Sequence, residues 1–125
     1  MAIPENIRAA YASVKNYPDL ASKLINAGVQ SYTVDVASGT TIYRLMDGSI
    51  HFNTNTNEPR EIAKKFDEAL TIQTIRDNQE GKTDYPGFMN GIAKAGVRFY
   101  EASLNPNKSI IYIGSGGFHE EAIPI

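Results

Sequence analysis

Apolar residues along this chain recur at two spacings, and the spacing switches at recognisable breaks. Ile7, Ala10, Tyr11 and Val14 recur at three and four residues, the mark of one helical face. Pro4 and Glu5 suit the first turn, because Pro lacks only an N–H that would be unpaired there and Glu complements the positive helix end. A helix is predicted over 4–15, broken by Asn16-Tyr17-Pro18, since the residue before Pro is pushed out of the α region. A second helix over 18–27 carries Leu20, Ala21, Leu24 and Ile25 on one face, with Gly28 placed to end it. Tyr32, Val34 and Val36 then alternate with Ser31, Thr33 and Asp35, which predicts a strand with one apolar and one polar face. Ala37-Ser38-Gly39 turns the chain into a second strand, Thr40 to Leu45. Asp47-Gly48 predicts a two-residue hairpin into a third, Ser49 to Asn53.

Thr54-Asn55-Thr56-Asn57 is a polar linker. Beyond Pro59, Ile62, Phe66, Ala69 and Leu70 keep one helical face, as do Ile72 and Ile75. The pattern predicts either a short helix near 59–65 followed by a longer one near 68–80, or one bent helix, ended by Gly81.

The rest of the chain restates the beginning. Tyr17-Pro18 … Ala27-Gly28-Val29 … Tyr32 returns 68 residues later as Tyr85-Pro86 … Ala95-Gly96-Val97 … Tyr100, with six of sixteen aligned positions identical. Unrelated segments of ordinary composition would share roughly one. Phe88, Met89, Ile92 and Ala93 form the inward face of the returning helix, and Tyr100, Ala102 and Leu104 that of the following strand. The turn Asn105-Pro106-Asn107-Lys108 is one residue longer than its counterpart. The offset becomes 69 and aligns Tyr43 with Tyr112 and Gly48 with Gly117. Phe118 to Ile123 is the last strand. We read a single α+β domain over 1–125, a tandem duplication of a helix-helix-three-strand unit. Its repeats span about 4–53 and 68–123, with a linker and short helix at about 54–67. About six antiparallel strands and four or five helices would be related by a pseudo-two-fold axis.

Composition narrows the function little. Apolar residues make up 42% and charged residues 21%, so the chain can bury a core and is not disordered. It has no cysteine, which excludes disulfides and thiolate metal sites and fits a reducing compartment. The net charge of −2 and the absence of a basic stripe argue against nucleic acid. No signal pattern opens the chain, and its longest apolar run, Ile110 to Ile113, is far too short to span a membrane. The expectation is a soluble cytoplasmic protein.

The Tyr-Pro, Ala-Gly-Val, Tyr and Tyr-x4-Gly pattern resembles the YdfO-like family (domain of unknown function 1398), small bacterial and prophage proteins. The likeness is densest from Ala63 to Pro124, through Phe66, Ile75-Arg76, Gln79, Gly81, Tyr85-Pro86, Phe88, Gly96-Val97, Tyr100, Tyr112, Gly117 and Ile123-Pro124. Ser31-Tyr32-Thr33-Val34-Asp35 extends it into the first half. The resemblance implies a duplicated α+β fold and no activity. Some members carry the label "phage envelope protein", which nothing in this sequence supports.

Four groups of residues could carry chemistry. Tyr17/Tyr85, Tyr32/Tyr100 and Tyr43/Tyr112 form symmetric pairs that could line a cleft for a planar ligand, although duplication alone explains the pairing. His51, His119 and Glu121 are candidate acid-base residues. Counting from the hairpin glycines puts the two histidines on opposite faces. His119-Glu120-Glu121 could join Asp35 or Glu101 in a His/carboxylate site, although no metal-ligand spacing is present. Gly114-Ser115-Gly116-Gly117 reads as a hairpin rather than a phosphate loop, because a strand and not a helix follows it. No cofactor is implied. The leading expectation is a non-enzymatic module binding a small ligand or a protein. The alternatives are a small enzyme with a His/Glu site and a structural or oligomerising subunit, with a homodimer among the options.

Overall fold

In the computed structural model, residues 4–12, 14–54 and 58–123 are described. The elements follow in the order α1 (Glu5–Tyr11), α2 (Tyr17–Asn26), β1 (Val29–Asp35), β2 (Thr41–Leu45), β3 (Ile50–Asn53), α3 (Glu68–Gln79), α4 (Tyr85–Lys94), β4 (Val97–Ser103), β5 (Ser109–Gly114) and β6 (Gly117–Ala122). The protein is α+β: four helices and one antiparallel sheet of six strands in the order β3-β2-β1-β4-β5-β6. The order is palindromic. At its centre β1 pairs with β4, and Thr33 lies directly opposite Glu101, the residue 68 positions on.

Local chemistry explains the helix starts. Asn16 accepts from the Asp19 N–H and Asp84 from the Gly87 N–H, each followed by Tyr-Pro at the first helical positions. α1 ends at Tyr11 rather than 15, and Val14 is exposed. Nothing is described at Ser13, at the linker positions 55–57 or at Pro124, so those parts of the sequence reading lie outside the described residues.

Two expectations between the halves are corrected. First, residues 58–67 form no helix. They run as an extended strap whose backbone bonds to distant partners: Arg60 to Ala37, Ala63 to Ala93, Phe66 to Ser115 and Asp67 to Ala95. Asp67 then caps α3 through the Leu70 N–H. Second, the buried face of α3 carries Thr71, Thr74 and Ile75, while Leu70 is exposed. The threonines tolerate burial because their hydroxyls donate to carbonyls one turn back, at Asp67 and Leu70. Thr74 fits against Gly91 of α4, where a side chain would come within 2.6 Å of its methyl group.

The hairpins differ from the sequence reading as well. Leu45 donates to Ser49, so β2 and β3 are joined by the three residues Met46-Asp47-Gly48, not by Asp47-Gly48 alone. β5 and β6 are joined by two, Ser115-Gly116, beneath the Gly114–Gly117 pair. The glycine with positive φ is Gly48 in one loop and Gly116 in the other. Gly48 therefore corresponds to Gly116, not to Gly117. The extra loop residue cancels the extra residue of the Asn105 turn and restores the 68-residue spacing in the outer strands.

All four helices lie on one face of the sheet and enclose a core of Ile7, Leu24, Val34, Tyr43, Met89, Ile92, Leu104 and their neighbours. α1 packs on α2 and α3 on α4, with no comparable contact joining the two helix pairs. Among the described residues no helix lies on the opposite face of the sheet.

Candidate functional site

Strand alternation sends Tyr32, Tyr43, Tyr100 and Tyr112 to the helix-covered face. Tyr43 stands opposite Tyr32 on one side and His51 on the other, and Tyr112 likewise between Tyr100 and His119. The rings pack at centroid distances of 6.0 Å (Tyr32–Tyr43) and 5.4 Å (Tyr100–Tyr112). Three helix-borne tyrosines meet them hydroxyl to hydroxyl: Tyr11 with Tyr43 at 2.7 Å, Tyr17 with Tyr32 at 2.5 Å, and Tyr85 with Tyr100. The structure thus gathers all six sequence-picked tyrosines along the seam between the helix pairs and adds Tyr11. Tyr11 escaped the sequence reading because Gln79, not a tyrosine, stands 68 residues on.

Burial pushes every one of these phenols up, because the anion would lose its water. Tyr17 is pushed up to about 12, with its Tyr32 bond pulling the other way. The hydroxyls therefore stay neutral, and six of the seven satisfy one another in pairs. Tyr32 and Tyr100 are only 3% and 4% exposed, so the floor of the seam is closed, whereas the Tyr85 ring at its mouth is 54% exposed.

His51 and His119 share the inner face, contrary to the count from the hairpin glycines, because the first loop holds one residue more. They lie on opposite outer strands, so they form no joint site. His119 Nε2 lies 2.7 Å from the Glu121 carboxylate and its ring stacks on Tyr112. Arg76 of α3 donates two bonds to the same carboxylate, at 3.0 and 3.1 Å. Burial raises the Glu121 carboxyl, but the bonds from Arg76 and His119 outweigh it and hold the group below the ordinary carboxylate range. Gln79 accepts from Arg76, completing a clamp between α3 and β6. On the other edge, His51 Nδ1 is buried with no partner among the described residues.

Asp35 and Glu101 do not join His119. Both point from the opposite face, where Thr33 donates to Glu101, Arg44 donates to Thr33, and Asp35 holds Ser38. Among the described residues no cluster of three His, Asp or Glu side chains could hold a metal ion. No described helix is long and apolar enough to cross a membrane.

Two surface depressions are formed by described residues. One lies between α1 and α2, against Asn6 and Lys23. The other lies under the strap, between Asp35, Lys64, Arg98 and Ser115. Neither reaches the tyrosines. The uncovered sheet face is apolar at both flanks. Ile42, Ile50 and Phe52 line one, and Phe99, Ile113 and Phe118 form a cross-strand row on the other. The sequence reading put Ser31, Thr33 and Asp35 on a polar outer face and did not single out these apolar positions.

No curated protein matches the chain. A family model described as "Protein of unknown function (DUF1398)" matches residues 5–117, which takes in both helix pairs and the sheet as far as the β5–β6 hairpin, and the chain belongs to that family.

Proposed function

We propose that the chain is a non-enzymatic protein-binding module whose docking surface is the open face of the sheet, occupied by a second copy of the same chain. The observation that carries this reading is the set of large apolar side chains on one uncovered face: Phe118 at 59% exposure, with Ile50, Phe52 and Phe99 also exposed. Exposed apolar patches, here one on each flank of a polar centre, mark interaction sites on soluble proteins. Six strands about 4.8 Å apart and roughly 20 Å long present about 600 Å² per copy. Two copies would bury about 1,200 Å², enough for a specific interface.

Arg44 and Glu101 face each other at 3.8 Å across Thr33 and can be covered as a pair, while Glu120, exposed on the same face of the edge strand β6, stays at the rim of the contact. The other sequence candidates favour protein contact over catalysis or a small ligand in the seam. The seam hydroxyls bond one another, and Glu121 is taken up by Arg76. A cytoplasmic setting fits a cysteine-free chain, and the family resemblance implies a bacterial or phage one.

Sedimentation equilibrium tests the reading. The chain should dimerise in the micromolar range, and Phe118→Lys or Phe52→Lys should leave a folded monomer with unchanged far-ultraviolet circular dichroism. A wild-type chain that stays monomeric at about 100 μM would refute it.

A further inference from the structure

The depression under the strap has a composition that neither the tyrosine seam nor the open sheet face explains. It holds about 320 Å³, the size of a small-molecule site. Its apolar floor is Ala37, Ile62 and Ala63, and its polar rim is Asp35, Lys64, Arg98 and Ser115. Lys64 and Arg98 are exposed, and among the described residues neither is engaged in an ion pair or side-chain hydrogen bond. Two cations from different elements and one carboxylate, Asp35, line one concavity, leaving a local excess of one positive charge in a chain of net charge −2.

The frame around them is rigid for identifiable reasons. Arg98 sits in a bulge of β4, between the paired residues Val97 and Phe99, and its carbonyl accepts from Val36. A bulge re-aims the side chain it carries. The strap is fixed on either side of Lys64 by backbone bonds at Arg60, Ala63 and Phe66. The Phe66 ring rests on the β5–β6 hairpin, where a Cβ at Gly114 or Gly117 would come within 2.9 Å of it. The glycine-rich hairpin is thus the seat of Phe66. By holding Phe66 it holds Lys64 beside Ser115.

We propose that this depression binds a small phosphate monoester that also carries hydroxyl donors. Arg98 and Lys64 take the phosphate oxygens, the forked guanidinium and the ammonium being suited to that group. Ser115 can donate to a third oxygen, which a carboxylate lacks. Asp35 still has an oxygen free of Ser38 and accepts from a ligand hydroxyl. Its charge disfavours a bare polyanion and favours an anion bearing a donor. Asp35 stands opposite Phe99 of the open sheet face, so the site adjoins the dimer surface proposed above, and shifts at Lys64 and Ser115, which lie outside the sheet face, tell ligand binding apart from self-association.

Amide chemical shifts of the full chain, titrated with glycerol 3-phosphate, inorganic phosphate and glycerol, test the assignment. Saturable shifts are expected at Ala63, Lys64, Arg98 and Ser115 with the two phosphates and none with glycerol, the monoester binding at least about threefold tighter than phosphate. Lys64→Gln and Arg98→Gln should each weaken both by about tenfold with the spectrum otherwise unchanged. Asp35→Asn should abolish the advantage of the monoester. Shifts linear to about 20 mM, shifts scattered over other lysines and arginines, or affinities indifferent to Lys64→Gln and Arg98→Gln would each overturn the proposal.

Discussion

Gly28 and Gly96 follow corresponding helices and share a left-handed backbone, with φ of 90° and 83°. Their surroundings differ. A methyl group added at Gly28 meets nothing within 4 Å, whereas at Gly96 it runs into the Lys65 carbonyl and the Phe66 backbone of the strap. Gly28→Ala should therefore cost only the left-handed penalty of about 1 kcal/mol. Gly96→Ala adds displacement of the strap and should cost about 3 kcal/mol or more. Urea unfolding of both variants measures the difference. Equal losses would mean that the strap does not rest on Gly96. The comparison isolates one feature that separates the two halves, because the strap packs on the C-terminal end of α4 at Gly96 and touches the first half through the Arg60–Ala37 bond instead.

At the scale of elements, α3 depends on its clamp to β6, since its buried face offers two threonines and one isoleucine. The folded-state value of Glu121 lies below the ordinary range. Its contribution is therefore fully present at neutral pH and is lost as pH falls from that range through the depressed value. Glu121→Gln should cost about 1 kcal/mol at pH 7, given that Arg76 is partly exposed, and the gap from wild type should narrow as pH falls below the ordinary carboxylate range. A gap independent of pH would assign the loss to packing instead.

The elements also mark where sequence reasoning succeeds. Asn16 and Asp84 before Tyr-Pro are legible caps, and the alternation around Tyr32 and Tyr100 is legible strand phase, because both are local. The strap was not legible. Ile62 and Phe66 are four residues apart and mimic a helical face, while the backbone bonds that extend this segment go to Ala37, Ala93, Ala95 and Ser115. The burial of Thr71 and Thr74 was hidden for a related reason, since back-bonded hydroxyls make polar residues behave as apolar ones. The shared face of His51 and His119 turned on a single loop residue, and Asp47-Gly48 pointed to the shorter loop. In the candidate sites, the tyrosines were found by their spacing. Lys64 and Arg98 carry no spacing signal, because they meet only through the strap.

At the scale of the whole molecule, the tyrosine network couples folding to alkaline pH. All seven phenols of the chain are raised by burial. In the unfolded chain each would ionise near 10. Below that value both states are protonated and the network contributes its full stabilisation. Above it the unfolded chain releases protons that the folded one retains, so stability falls as pH rises. Each tyrosine that stays protonated removes about 1.4 kcal/mol per pH unit. Several acting together would exhaust the ordinary 5–15 kcal/mol of a domain within about two units above 10. The chain should thus unfold cooperatively near pH 11–12, with phenolate absorbance and loss of far-ultraviolet circular dichroism rising in one step. Tyr17→Phe removes one titrating group while keeping the ring, so it should make the alkaline limb less steep even though it breaks the bond to Tyr32. Phenolate absorbance that climbs gradually around pH 10 with the dichroism intact would mean that the hydroxyls are open to water, and the closed seam would be wrong.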